Sequence, residues 1–175
     1  VVDLRNSAIP WLVRARRRLV RRGSLDDGEH RVVGLARILD RQGTPPAPQL
    51  WSTKAQRARA AELVPDGTPI LALGPTANWR GKIWPAARFA ELAMRLTGPA
   101  ATGMLRGARI AVLGGPDERA LAQPLIAALE PSRCIDLVGA ADLPTIHACL
   151  ARCTLFIGND SGLMHIAAAS GIPTV

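Results

Sequence analysis

From Pro69 onward, short unbroken apolar runs alternate with longer amphipathic stretches, and this alternation limits the possible folds more than any other feature of the chain. Residues 70–73, 110–113, 135–138 and 155–157 are continuously apolar, while 85–96, 117–129 and 143–151 carry helical patterns. Strands that lack a polar alternation are buried on both faces, so the pattern predicts a parallel sheet with helices on either side. The result is a Rossmann-like α/β domain, and in such domains ligands bind beyond the carboxyl ends of the strands. The loops expected there are 74–84, 114–118, 139–142 and 158–162.

Those loops also hold the residues with chemical potential. The run ending at Gly158 is followed by Asn159, Asp160, Ser161 and Gly162, then by an alanine-rich helical stretch that stops at Gly171 and Pro173. Free backbone N–H groups at a helix start, aided by the helix dipole, form a site for phosphate. An ordinary strand-to-helix turn with Asp160 as N-cap reads equally well from the residues alone. Upstream, Thr76, Asn78 and Lys82 share one loop, and Pro85 opens the next helix in its first turn. The chain has only two lysines. Lys82 can act as a point charge on phosphate oxygens; Lys54 is expected exposed at a helix start, without a role. In the turn 113–119, Glu118 is a candidate acceptor for ribose hydroxyls, or simply an acidic first-turn residue favoured by the dipole. No Gly-x-Gly-x-x-Gly occurs.

Charge divides the chain. The formal net charge is +8, with thirteen Lys and Arg against five Asp and Glu in residues 1–60, and nine against nine in 61–175. Arg14, Arg16, Arg17, Arg18, Arg21 and Arg22 interleave with apolar residues at roughly helical spacing, which predicts a basic helix over 9–22. It suits an anionic partner such as a membrane surface or a phosphorylated glycolipid, or else is a solvated face. With no Tyr and only two Phe, stacking platforms for nucleic acid are scarce. A second helix is expected over 30–41, a Pro-rich linker over 44–48, and a helix capped by Ser52 or Thr53 running to 63. The expected domains are 1–48, the end of an N-terminal domain, and 49–175. Three cysteines without a framework fit a reducing cytoplasm. Cys149 and Cys153 read as buried thiols on a core helix rather than as a metal site with His147. No apolar run approaches the length of a membrane span. The chain does not begin with Met and stops inside a run, 172–175, that reads as a strand, so an interior stretch of a longer protein is expected.

Two motifs carry a family resemblance. Asp160-Ser161-Gly162, then His165, Ala167, Ala168, Gly171 and Pro173, resembles the signature of glycosyltransferase family 9, the bacterial heptosyltransferases of lipopolysaccharide synthesis. The segment 70–85, with Thr76, Lys82, Trp84 and Pro85, is similar to the family's strand, phosphate-contacting loop and Lys-x-Trp-Pro helix start. Residues 1–5 resemble a strand late in the family's N-terminal domain.

The resemblance implies a GT-B enzyme with two Rossmann-like domains, this chain holding much of the donor-binding half after the last elements of the acceptor domain. It implies an inverting transfer of heptose from ADP-heptose to a lipopolysaccharide-core acceptor without a required metal. A related transferase using another nucleotide sugar, or a non-catalytic nucleotide-binding or membrane-surface module, remains the alternative. By resemblance Thr76, Asn78, Lys82, Ser161, Gly162, Leu163 and His165 contact the donor. Lys82 stabilises the leaving diphosphate, Glu118 takes the ribose, and residues 141–143 line the base pocket; Asp160, whose charge would repel a diphosphate, has to cap the helix, hold Lys82 or hold a sugar hydroxyl, and capping with a sugar contact is the favoured reading. Arg14, Arg17 and Arg21 face the glycolipid acceptor or the inner membrane surface. The family's general base, an Asp in a Gly-containing loop, falls upstream of Val1. A cytoplasmic enzyme peripheral to the inner membrane follows.

Overall fold

The computed structural model describes residues 1–5, 7–21, 28, 30–39, 41, 43, 45 and 47–175. Two compact units result, Val1–Ala47 and Pro48–Val175.

In the N-terminal unit, strand β1 (Val2–Asp3) pairs in parallel with β2 (Leu19–Val20). Between them lies one helical turn, α1 (Ile9–Leu12). Asp3 is buried and its carboxylate accepts from the N–H of Arg5 at 2.9 Å and of Ser7 at 2.6 Å, which turns the chain toward α1. The basic helix expected over 9–22 does not form. Val13 is already extended, because clustered arginines three and four positions apart repel one another on a helix. Arg18 instead reaches back, its Nε donating to the Pro10 carbonyl at 2.7 Å, and the next two residues join the sheet. Arg14 and Arg17 are exposed on this extended stretch, and Arg21 donates its N–H to the Asp3 carbonyl. Arg22 lies outside the described residues, as do residues 44 and 46 of the expected linker. The second helix is shorter than expected: α2 (Arg31–Ala36), then a 3-10 turn at Arg37–Leu39.

The second unit follows the sequence pattern closely. Helix α3 (Lys54–Leu63) opens with a capping box, in which Thr53 Oγ1 accepts from the Gln56 N–H and the Gln56 side chain accepts from the Thr53 N–H. Lys54 is exposed at its start. Next come β3 (Ile70–Gly74), α4 (Ala86–Thr97), β4 (Arg109–Val112), α5 (Arg119–Ala128), β5 (Cys134–Asp136), α6 (Leu143–Leu150), β6 (Leu155–Gly158) and α7 (Gly162–Ala169). All strands run parallel in the order β5-β4-β3-β6. The expected last strand is present only as a bridge from Thr174 to Phe156 beside β6.

Every residue of β3 is buried, and alternate side chains feed two cores. Leu71, Leu73, Ile110 and Val112 pack with Phe89, Ala93 and Leu125 of α4 and α5. Ile70, Ala72, Ala111 and Phe156 pack with Ala60, Cys149, Leu150 and Ala167 of α3, α6 and α7. This is the doubly covered parallel sheet that the unbroken apolar runs demand. Both thiols belong to that second core, Cys149 on α6 and Cys153 just past its end rather than on the helix; burial pushes Cys149 up to about 11 and Cys153 up to about 12. Both thus stay protonated at neutral pH, a poor state for a metal ligand. His147 turns aside to share a hydrogen with Ser52 Oγ at 3.0 Å.

Candidate functional site

The loops after all four strands of the second unit enclose one cleft of about 680 Å³. Thr76 and Asn78 come from the β3 loop, residues 114–118 from the β4 loop, Gly139, Ala141 and Asp142 from the β5 loop, and Ser161, Gly162 and Leu163 from the start of α7. Connections from β3 and β4 go to α4 and α5 on one face. Those from β5 and β6 go to α6 and α7 on the other. The switch in direction therefore falls between the neighbours β3 and β6, where α/β folds open a crevice for ligands.

At this switch both neighbouring strands end on glycine. Gly74 and Gly158 sit opposite each other in the sheet, and the Phe156 ring lies over both. A Cβ would come within 2.7 Å of that ring at Gly74 and 2.6 Å at Gly158, closer than carbon atoms approach without displacement. On the far wall Gly139 holds φ +65, and a Cβ there would meet Pro116 Cα at 2.9 Å.

Inside the cleft the polar groups are braced. Thr76 is 1% exposed, and its hydroxyl donates to Glu118 Oε2 at 2.8 Å. The same oxygen accepts from the Gly115 N–H at 2.6 Å. The carboxylate thus ties the β3 loop to the β4 loop rather than standing free. Asp142 caps α6 through Thr145 at 3.0 Å and accepts from Gln56 Nε2 at 2.9 Å; these bonds, with the Thr145 contacts foremost, hold its carboxyl below the usual range. Ser161 is the N-cap of α7 by backbone geometry, yet no side chain caps that helix. The Ser161 hydroxyl is buried and has no partner, and α7 therefore presents open amides to the cleft.

Asp160 departs from expectation. It does not cap α7; its carboxylate pairs with Lys82 Nζ instead. The competing backbone donors lose to a charged partner that the loop after β3 delivers to the same place. The Lys82 ammonium, through hydrogen bonding first and charge second, holds the Asp160 carboxyl below its usual range, with a smaller contribution from His165. Lys82, Asp160 and His165 are all exposed and stand at the rim of the cleft rather than in its wall. Asn159, buried, fastens this rim: its Oδ1 accepts from the Trp84 N–H at 3.0 Å and its own N–H donates to the Gly74 carbonyl at 3.0 Å.

The structure thus brings Thr76, Asn78, Glu118, Ser161, Gly162 and Leu163 into one cleft, with Lys82, Asp160 and His165 at its edge. Arg14, Arg17 and Arg21 belong to the other unit. The sequence reading missed the Asn159 clamp and the Gln56–Asp142 link. An Asn directly after a strand-ending glycine was the available signal for the first. Among the described residues, no group of three or more His, Cys, Asp or Glu is placed to hold a metal ion.

Comparison with known proteins agrees with this geometry. The chain is 30% identical to lipooligosaccharide heptosyltransferase 2 of Haemophilus ducreyi over 131 residues, 73% of this chain and 35% of that protein. It is 31% identical to lipopolysaccharide heptosyltransferase 2 of Escherichia coli K12 over 111 residues, 61% of this chain and 30% of that one. The chain spans about a third of the length of these curated relatives. A family 9 glycosyltransferase from Veillonella parvula shares the fold with a TM-score of 0.73 at 24% identity, over 87% of this chain and 44% of that one. The E. coli ADP-heptose lipopolysaccharide heptosyltransferase II does so with a TM-score of 0.67 at 24% identity, over 89% and 50%. The model of the family described as glycosyltransferase family 9 (heptosyltransferase) matches residues 29–175, and the chain belongs to that family.

Proposed function

We propose that Pro48–Val175 is the donor-binding part of an inverting glycosyltransferase that takes heptose from ADP-heptose and passes it to a lipopolysaccharide-core acceptor. The observation that carries this reading is the joint placement of the uncapped α7 start and Lys82 on either side of the β3–β6 crevice. The relatives' named activities supply the sugar and the acceptor class.

In this reading the leaving diphosphate sits between the amides of Ser161–Leu163 and the Lys82 ammonium. Negative charge builds on the diphosphate as the bond to the anomeric carbon breaks, and donors already aimed at that charge lower the barrier. Asp160 keeps the ammonium parked at the rim until donor arrives, and Lys82 then exchanges the carboxylate for a phosphate oxygen. The Ser161 hydroxyl and His165 complete the phosphate shell, while Thr76, its proton committed to Glu118, braces the loop that carries Lys82. Asn78 borders the sugar, Glu118 takes ribose hydroxyls with the oxygen it does not use on Gly115, and residues 141–143 enclose the base. No metal is assigned to the reaction. The acceptor proton passes to a base outside these 175 residues. Arg14, Arg17 and Arg21 draw the enzyme to the anionic glycolipid at the inner membrane surface, from the cytoplasmic side. No helix among the described residues is long and apolar enough to cross a membrane.

Calorimetry on the complete protein tests the donor site: ADP and ADP-heptose should bind, ADP-heptose should turn over once lipopolysaccharide-core acceptor is added, and UDP should bind more weakly. Equal indifference to all three would refute the reading. Charge reversal at Arg14, Arg17 and Arg21 should release the protein from vesicles containing anionic lipid, most visibly at low salt. Unchanged vesicle binding would reduce the cluster to a solvated face.

A further inference from the structure

Two tryptophans flank Lys82 in the loop after β3, and the fold treats them in opposite ways. Trp84 anchors the loop: its N–H is held by Asn159, and its ring meets the buried Phe89 ring edge-on, with centroids 4.9 Å apart. Trp79 is 66% exposed and its indole lies against Gly81, where a Cβ would come within 2.9 Å of Cζ2. A 3-10 turn at Arg80–Lys82 joins the two, closed by Lys82 N–H to Trp79 C=O at 3.0 Å and Ile83 N–H to Arg80 C=O at 3.1 Å.

The loop is fixed at both ends and open at its apex. Thr76 is tied to Glu118, Asn78 lines the cleft, and Lys82 is paired with Asp160. Between these points Trp79, Arg80 and Gly81 are exposed. Among the described residues no hydrogen bond or ion pair engages the Arg80 guanidinium. A hydrogen-bonded turn therefore carries an exposed indole and, at the next position, an unpaired planar cation, two residues before Lys82. An indole face packs against the C–H side of a ring while leaving its hydroxyls wet. A guanidinium takes a phosphate or carboxylate in two parallel hydrogen bonds. An anionic sugar ring satisfies both at once; a neutral sugar leaves the arginine idle, and a bare phosphate leaves the indole idle.

We propose that Trp79 and Arg80 form an acceptor-recognition site on the donor-binding unit, the indole stacking on an acceptor sugar ring and the guanidinium holding its anionic substituent. The inference rests on the donor reading, because Lys82 defines where the acceptor must approach.

The test is direct binding of delipidated lipopolysaccharide-core oligosaccharide, phosphorylated or enzymatically dephosphorylated, to the complete protein, with ADP binding measured in parallel. Trp79→Ala and Arg80→Ala should each weaken binding of the phosphorylated oligosaccharide about tenfold, while ADP binding stays at the wild-type level. Trp79→Phe should retain most of the affinity, and the Arg80 effect should vanish on the dephosphorylated ligand. Wild-type oligosaccharide affinity in both Ala variants would overturn the proposal. So would a parallel loss of ADP binding, which would make the turn part of the donor site. Failure of the wild-type protein to bind ADP, with oligosaccharide binding still sensitive to Trp79 and Arg80, would instead remove the donor reading and leave a sugar-binding turn.

Discussion

The inner cleft and its rim are built from opposite materials. The cleft wall carries three carboxylates, Asp117, Glu118 and Asp142, and no Lys, Arg or His. The rim, formed where the chain leaves β3 and β6, carries Lys82 and His165, with Asp160 as the balancing acid. A uniformly anionic ligand would be repelled by the wall, and a uniformly neutral one would make no use of the rim. A nucleotide sugar is neither. Its nucleoside offers hydroxyl and amino donors that suit carboxylates, and its diphosphate suits cations and helix amides. The contrast orients the proposed donor, nucleoside inward and phosphates toward the β3–β6 crevice, with the sugar leaving over the rim.

Removing the rim's cation should break the contrast most severely. In the complete enzyme Lys82→Ala should lower turnover by about 10²–10³-fold, the scale of one preorganised electrostatic stabiliser. Lys82→Arg should restore part of it, because a planar fork replaces a point charge. Steady-state kinetics with ADP-heptose would show this, and near-normal turnover in the Ala variant would remove the rim from the mechanism.

The paired glycines at the ends of β3 and β6 come next. Gly158→Ala forces a methyl against the Phe156 ring and should cost about 1–3 kcal/mol of stability, as overpacked cores do. Thermal melts of the complete protein check this, and an unchanged midpoint would show that the Phe156 ring yields. Asp160→Asn should have a smaller effect. It loosens an exposed pair, so thermal stability should hold, while turnover drops less than in Lys82→Ala. A loss equal to that of Lys82→Ala would give the carboxylate a direct part in transfer.

The smallest effect is a titration. Asp160 is held below its usual range mainly by Lys82. A depressed carboxyl favours the folded pairing above its ordinary pKa and releases it as pH falls through the lowered value. Carboxyl NMR should find Asp160 titrating below an ordinary aspartate in the wild type and moving up in Lys82→Ala. An unchanged value would mean that the pair does not persist in solution.

Legibility followed the range of the interactions. Around the parallel sheet, local signals and the global fold agree: unbroken apolar runs, Thr53 with Gln56, and Pro85 before α4 each act within a few residues. In the arginine segment they conflict, since helical spacing there loses to like-charge repulsion and to pairing with β1. The site residues were legible as loop positions but not as partners. Thr76 and Glu118 are 42 positions apart, and Lys82 and Asp160 are 78 apart. No spacing rule reports that Glu118 braces Thr76, or that Asp160 forgoes the helix start for a lysine.

The most direct test of the account is a crystal structure of the complete protein with ADP. The account predicts the diphosphate within hydrogen-bond reach of the Ser161–Leu163 amides, Lys82 Nζ moved from Asp160 onto a phosphate oxygen, and the ribose beside Glu118. A nucleotide bound with its phosphates among Asp117, Glu118 and Asp142, or bound away from the β3–β6 crevice with Lys82 still on Asp160, would contradict it.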